Sequence, residues 1–260
     1  GPVSRVTHDI EIIRSKGNEI GLLLNEKKCD FINKTAVSDN PTFRNFAHLK
    51  TEEAELLGAP LTIGTAMDTA LSRRCDDLGR AASRLGSIAA HDALVLLKMS
   101  FSAPKLLHTM RASPCSGHAA LEKFDGLLRD CVCTITNTDL TDVQWIQASL
   151  PVRNGGLGVR RVSSLAPSAF LASAAGTRDL KDMILRKCDA TVDSAVDLVA
   201  DQWSFSHGQS GVSHPTGSSA SKQHEWDKPL IASDLARLTL CLPDRHHQAR
   251  LLAVSAPHSG

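Results

Sequence analysis

The chain has 260 residues, 42% of them hydrophobic and 22% charged, with a formal net charge of +1. That size leaves room for one large domain or two modest ones with a real core, and the composition excludes a disordered chain. The near-neutral sum excludes a polyanion binder that works by overall charge alone. No apolar run approaches the roughly 20 residues that span a bilayer, and nothing reads as a secretory signal. Seven cysteines without a regular framework point to a reduced, intracellular chain, nuclear or cytoplasmic. Gly1-Pro2 reads as the remnant of a protease-cleaved tag. With no tyrosine and only 4% aromatics, the core must come from Leu, Ala, Val and Ile, which favours closely packed helices.

In chain order, Val6, Ile10, Ile13 and Ile20 recur at helical spacing and predict an amphipathic helix ending near Gly21. "KKCDFIN" (27–33) reads as a short strand, 34–53 as a polar stretch with a turn at Asn40-Pro41, and 54–64 as a hairpin around Gly58. Everything after the hairpin reads as helical. Leu71, Cys75, Leu78, Ala82 and Leu85 line one face of a helix, with Arg73, Asp77, Arg80 and Arg84 on the opposite one. Helices follow near 90–101, 104–111 and 118–136, the last carrying Leu121, Phe124, Leu128, Cys131 and Ile135. Thr141 and Gln144 form a capping box for a short helix that stops before Pro151. Beyond a connector flexible at Gly155, Gly156 and Gly158, Ser164 is the expected cap of a helix with Pro167 in its first turn. Val192, Ala195, Val196, Val199 and Trp203 make another stripe, 206–223 is a Ser/Gly/His/Pro loop, and helices near 230–241 and 244–254 close the chain. The expected fold is therefore mainly α, with a small α/β N-terminal part (helix, strand, hairpin) followed by a multi-helix bundle. The expected divisions are 1–66, 67–150 and 151–260.

Charge is unevenly spread. Between Leu71 and Arg111 stand seven Lys or Arg (Arg73, Arg74, Arg80, Arg84, Lys98, Lys105, Arg111) against three Asp, whereas 191–234 holds six acids against Lys222 and Lys228. A basic middle can present a local positive face that the total hides. Chemistry is harder to find. Asp76 and Asp77 are neighbours on a helix, pointing about 100° apart, and read as surface acids pairing with Arg73, Arg80 or Arg84 rather than a two-metal site. Cys131-Val132-Cys133 lacks a second pair and His246-His247 lacks zinc-ligand spacing, so no metal or cofactor is expected. "NGGLGV" (154–159) follows a helix rather than a strand and lacks the spacing of a dinucleotide loop. It reads as a connector from which Arg153, Arg160 and Arg161 project.

Taken together, "IGLLLNEKKCDFIN", "AELLGAPL", "HDALVLLKMSFSAPKLLHTMR" and "FDGLLRDCVCTITNTDLTDVQWIQASLPVRNGGLGVRRVSSLAPSAFLASA" resemble the reverse transcriptases of non-LTR (LINE-type) retrotransposons, in the part downstream of the catalytic motif. The resemblance implies that Lys28 stands at the motif D lysine, which assists the departing pyrophosphate. It implies that Leu57, Gly58 and Ala59 form a primer-grip-like turn and that Ala70 to Arg111 is a thumb. Arg73, Arg80, Arg84, Lys98 and Lys105 would then contact phosphates, with Arg160 and Arg161 adding contacts from the connector, positioning without reading sequence. The family's aromatic-x-Asp-Asp turn is absent from this sequence, as are the fingers and the palm strand bearing the first aspartate. The implied protein is a fragment or a derived gene that does not polymerise.

Three functions follow as expectations. The first is weak, sequence-independent binding of template–primer nucleic acid. The second is a co-opted helical scaffold, self-associating or binding a protein through apolar surfaces freed from the polymerase core. The third is an unrelated recruited enzyme activity, for which no nucleophile, metal set or cofactor loop is legible.

Overall fold

A computed structural model describes residues 3–32, 40–184, 193–207, 213–242 and 244–256. Helix α1 (Val3–Glu19) leads through a 3-10 turn (Glu26–Lys28) into strand β1 (Asp30–Ile32). β1 pairs in parallel with β2 (Ala47–Leu49), Asp30 opposite Ala47 and Ile32 opposite Leu49. Strand β2 lies in the stretch read as polar loop. The rings of Phe31, Phe43 and Phe46 supply its reason, with centroids 4.4 and 5.6 Å apart, since three aromatics give this small sheet a core of its own. The Asn40-Pro41 turn forms as expected, the Asn40 side chain accepting from the Thr42 amide at 3.0 Å. The hairpin pairs β3 (Glu55–Leu56) with β4 (Ala59–Pro60), and both turn residues, Leu57 and Gly58, have positive φ (52° and 77°). That is the turn that matches strand twist in two-residue hairpins.

The rest is helical. Helix α2 spans Thr65–Leu85, α3 Ala90–Leu96, α4 Ala103–Ala112, α5 Ala119–Thr136 and α6 Asp142–Ser149. They are followed by α7 (Val162–Gly176), α8 (Arg178–Ile184), α9 (Ser194–His207), α10 (Gln223–Cys241) and α11 (Arg245–Ser255). The protein is thus mainly α, with a small N-terminal α/β part. The α2 stripe is buried as its spacing predicts, at Leu71, Cys75, Leu78 and Leu85. The α6 capping box forms with both reciprocal bonds. One core extends from Met67 on α2 to Ala169 on α7, running across the expected division at 150. Cys115 and Cys131 serve in it as small apolar residues, burial pushing both thiols up to about 11.

Helix α7 joins this core to a second one. Val162, Leu165, Ala166 and Ala169 face the first, while Phe170, Leu171 and Ala172 pack with Val199, Trp203 and Trp226 from α9 and α10. Its start differs from expectation. The helix begins at Val162, so Pro167 sits in the second turn, and Ser164 is not its cap. The cap comes from Asp125 of α5, whose carboxylate accepts from the Val162 amide at 2.6 Å, the Ser163 amide at 3.1 Å and the Ser163 hydroxyl at 2.5 Å. A carboxylate at a helix N-terminus meets both the orphan amides and the positive end of the dipole.

The connector is a folded turn rather than a free hinge. The Leu157 and Gly158 amides donate to Ala148 and Leu150 carbonyls, both at 2.9 Å. Gly156 lies so close over the end of α6 that a Cβ there would stand 2.2 Å from the Leu150 oxygen and 2.6 Å from that of Gln147. Helix α10 begins at Gln223, seven residues before the expected start, because Trp226 closes on Trp203 at 5.2 Å. The described end of the 206–223 loop folds onto the same pair: His214 meets Ser204 Oγ at 2.7 Å and the Trp203 ring at 5.3 Å. Val192 and residues 208–212 lie outside the described residues.

Two outcomes follow. Gly156→Ala must push backbone away from backbone and lowers stability by about 2 kcal/mol, read by urea denaturation. Asp125→Ala costs a similar amount by stranding two amides. Burial raises the Asp125 carboxyl above the ordinary carboxylate range, against the opposing hydrogen bonds from Ser163 and Val162. The folded state then holds this proton more tightly than the unfolded chain. The resulting stabilisation is complete below the unfolded pKa and is lost as pH rises through the folded one. The stability advantage of wild type over Asp125→Asn is therefore expected to shrink as pH rises above the ordinary carboxylate range.

Candidate nucleic-acid interface

The core stripe of α2 turns Arg73, Arg80 and Arg84 outward, and all three are exposed. Between them Asp77 accepts from Arg80 at 2.5 Å and from Arg74 at 3.4 Å. Arg84 has no carboxylate partner among the described residues. From the first turn of α4, Lys105 reaches the same side of the molecule. Together with Asp77, the cations Arg80, Arg84 and Lys105 rim a groove of about 370 Å³. Its floor is apolar, built from Ala81 and Leu85 of α2, Ile88, Leu96 of α3 and Phe101. A π-helical turn, Leu97–Phe101, continues α3. It sends Leu97 into the core and leaves Phe101 at the groove, the extra residue per turn being what allows both.

On the other flank of Arg80 the surface is mixed. Arg73 there shares a shallow depression with Asp68 and Asp76, and Asp68 is engaged by His118 Nε2 at 2.9 Å. Positive potential is therefore concentrated toward the C-terminal end of α2, where Arg80, Arg84 and Lys105 converge.

The other expected contacts stand elsewhere. The Lys98 side chain lies over the connector, so close that a Cβ on Gly158 would fall 2.9 Å from its Cε. Arg160 sits 3.8 Å from Asp227, and Arg161 2.5 Å from Asp234, both acids on α10. Burial holds the Arg160 guanidinium below the ordinary arginine range, with Asp227 and Asp234 partly offsetting it. Burial likewise pushes the Asp227 carboxyl up against the pull of Arg160 and of a Ser168 hydrogen bond. These two arginines thus tie the connector to α10, and their charge is met within the fold. Lys28 is exposed in the 3-10 turn before β1. The hairpin rests on α4, with the Leu57 carbonyl 3.2 Å from His108 Nε2 and the Pro60 carbonyl accepting from Ser113 Oγ at 2.6 Å. Leu57 itself is 89% exposed.

Of the residues named from sequence, then, Arg80, Arg84 and Lys105 come together, Arg73 adjoins them through Arg80, and Lys98, Arg160, Arg161 and Lys28 do not. The pairing of Asp77 with Arg80 follows the expectation from helix spacing, whereas its second partner Arg74 and the floor residues Ile88, Leu96 and Phe101 were not expected. The one available signal was apolar residues beside cations just past the end of α2. Among the described residues no group of three or more His, Cys, Asp or Glu is placed to hold a metal ion, and no helix is long and apolar enough to cross a membrane.

Comparison with protein-family models, with curated proteins and with solved structures found no match to this chain.

Proposed function

We propose that the chain is a catalytically incomplete module derived from a reverse transcriptase, and that it binds nucleic acid weakly and without sequence preference through α2 and α4. The observation that carries this reading is the convergence of Arg80, Arg84 and Lys105 on one groove, two of them without a carboxylate partner among the described residues. Cations needed for folding are paired inside, as Arg160 and Arg161 are; cations left at a surface are available to phosphates. Contacts from these cations to phosphate oxygens position the strand without reading its sequence. The motif resemblance supports the same region, since these residues fall in the thumb-like segment. With no aromatic-x-Asp-Asp sequence in the chain, nucleotide incorporation is not part of the proposal.

Fluorescence anisotropy with a labelled primer–template across a salt series tests it. Binding in the micromolar range is expected, roughly 1–100 µM at physiological salt. The Arg80→Ala, Arg84→Ala, Lys105→Ala triple variant should flatten the slope of log K against log salt by about 0.9 for each duplex phosphate that is no longer neutralised. Arg160→Ala should do the reverse, costing about 2 kcal/mol of stability by leaving the buried Asp227 without its arginine, its Ser168 hydrogen bond remaining, while keeping the affinity of the folded protein. Absence of binding at low salt would sink the reading.

A second reading rests on a separate observation. Leu22, Leu23, Leu56, Leu57 and Ile63 of the N-terminal part are each at least 60% exposed, more large apolar surface than a solitary surface needs. We propose that this part seats a protein partner or a second copy. Light scattering after size exclusion should show concentration-dependent association that Leu22→Ser with Leu23→Ser removes; a monomer at all concentrations that also captures no partner rejects it.

A further inference from the structure

We infer, building on the nucleic-acid reading, that the groove between α2 and the α3 π-turn holds an unstacked base of a single-stranded nucleic acid, while Arg80, Arg84 and Lys105 hold the phosphates beside it. The groove has two chemistries in one place. Its rim is cationic, but its floor is Ala81, Leu85, Ile88, Leu96 and Phe101. Phosphate alone would gain nothing from such a floor, and an apolar ligand alone would gain nothing from the rim. Ile88 and Leu96 remain 44% and 43% exposed, so apolar surface is waiting to be covered.

A base-paired duplex cannot cover it. Its exterior is sugar, phosphate and the base edges in its grooves, and along its length the base faces are stacked inside. A single strand can turn a base out and lay its face against Phe101, as sequence-tolerant single-strand binders do. The groove volume, about 370 Å³, lies in the roughly 300–1,000 Å³ range of sites that bury a small organic group. The cations also outrun the groove. From Arg73, which Asp68 and Asp76 flank, to Arg84 is three turns of α2, about 16 Å, a span longer than one lipid headgroup. Asp77 does not oppose this, because its oxygens are already engaged by Arg74 and Arg80.

The test compares a labelled oligo(dT) of about 15 nucleotides with a blunt duplex of equal length at about 50 mM salt, where such contacts are strong. Three proteins are compared with wild type. Phe101→Leu removes the ring and keeps the apolar volume. Ile88→Trp adds a stacking surface at an exposed position. The third is the Arg80→Ala, Arg84→Ala, Lys105→Ala variant. Thermal melting checks that each is folded. The single strand is expected to bind at least fivefold tighter than the duplex. Phe101→Leu should weaken single-strand binding about tenfold, within the range for losing one stacked base, with duplex binding unchanged, and Ile88→Trp should tighten it. Equal binding of both forms, with Phe101→Leu and Ile88→Trp silent but the triple variant inactive, overturns the base site and leaves the cationic interface standing. No binding of either form by the wild-type protein overturns both.

Discussion

The carboxylate of Asp125 reaches from α5 into the interior and receives the first two backbone amides of α7. The constraint behind it is general: a helix that starts away from water cannot leave its first N–H groups unpaired. Here the helix concerned is the one around which the molecule is assembled. α7 is buried along most of its length, from Val162 to Ala172, and α4, α5, α9 and α10 all pack on it. Its small residues, Ala166, Ser168, Ala169 and Ala172, let those neighbours come close, which is how a chain without tyrosine still fills its core. Asp125 fixes where the helix begins, and so which of its faces meets each neighbour.

The same region divides the charge. The acids of α10 meet the arginines just before α7, Asp227 with Arg160 and Asp234 with Arg161. That pairing withdraws Asp227, Asp234 and the two arginines from the exterior, while Asp193, Asp197 and Asp201 stay exposed. The α2 and α4 face is exposed too, with Arg80, Arg84 and Lys105 around an apolar floor. A net charge of +1 therefore hides two local arrangements, the inward arginine–aspartate pairs and the exposed cationic groove. The proposed function depends on the second.

Much of the fold was legible because its signals are local. The α2 stripe, the α5 stripe, the Thr141–Gln144 box and the Asn40-Pro41 turn each involve residues within a turn or two of one another. The failures share the opposite property. Strand β2 exists because Phe31 meets Phe43 and Phe43 meets Phe46, the early start of α10 because Trp226 meets Trp203, and the true start of α7 because Asp125 lies 37 residues before Val162. The π turn at Leu97–Phe101 reads simply as more helix, since its spacing differs from an α-helix by less than periodicity resolves. The candidate site divides in the same way. That Arg80 and Arg84 face away from the core was in the four-residue step. That Lys105 joins them, that Lys98 lies over Gly158 and that Arg160 and Arg161 turn inward was not.

The sequence by itself determined that this is a helical protein with a small α/β start, where most of its helices lie, and which arginines of α2 point outward, because helical periodicity and capping are properties of neighbouring residues. Only the tertiary structure decided which cations share a groove, which are spent on ion pairs, and that the glycine-rich connector is a tight turn with no room for a side chain at Gly156. Those outcomes depend on the distance between groups far apart in the chain, and on whether water or a carboxylate reaches each charge first, neither of which residue spacing records.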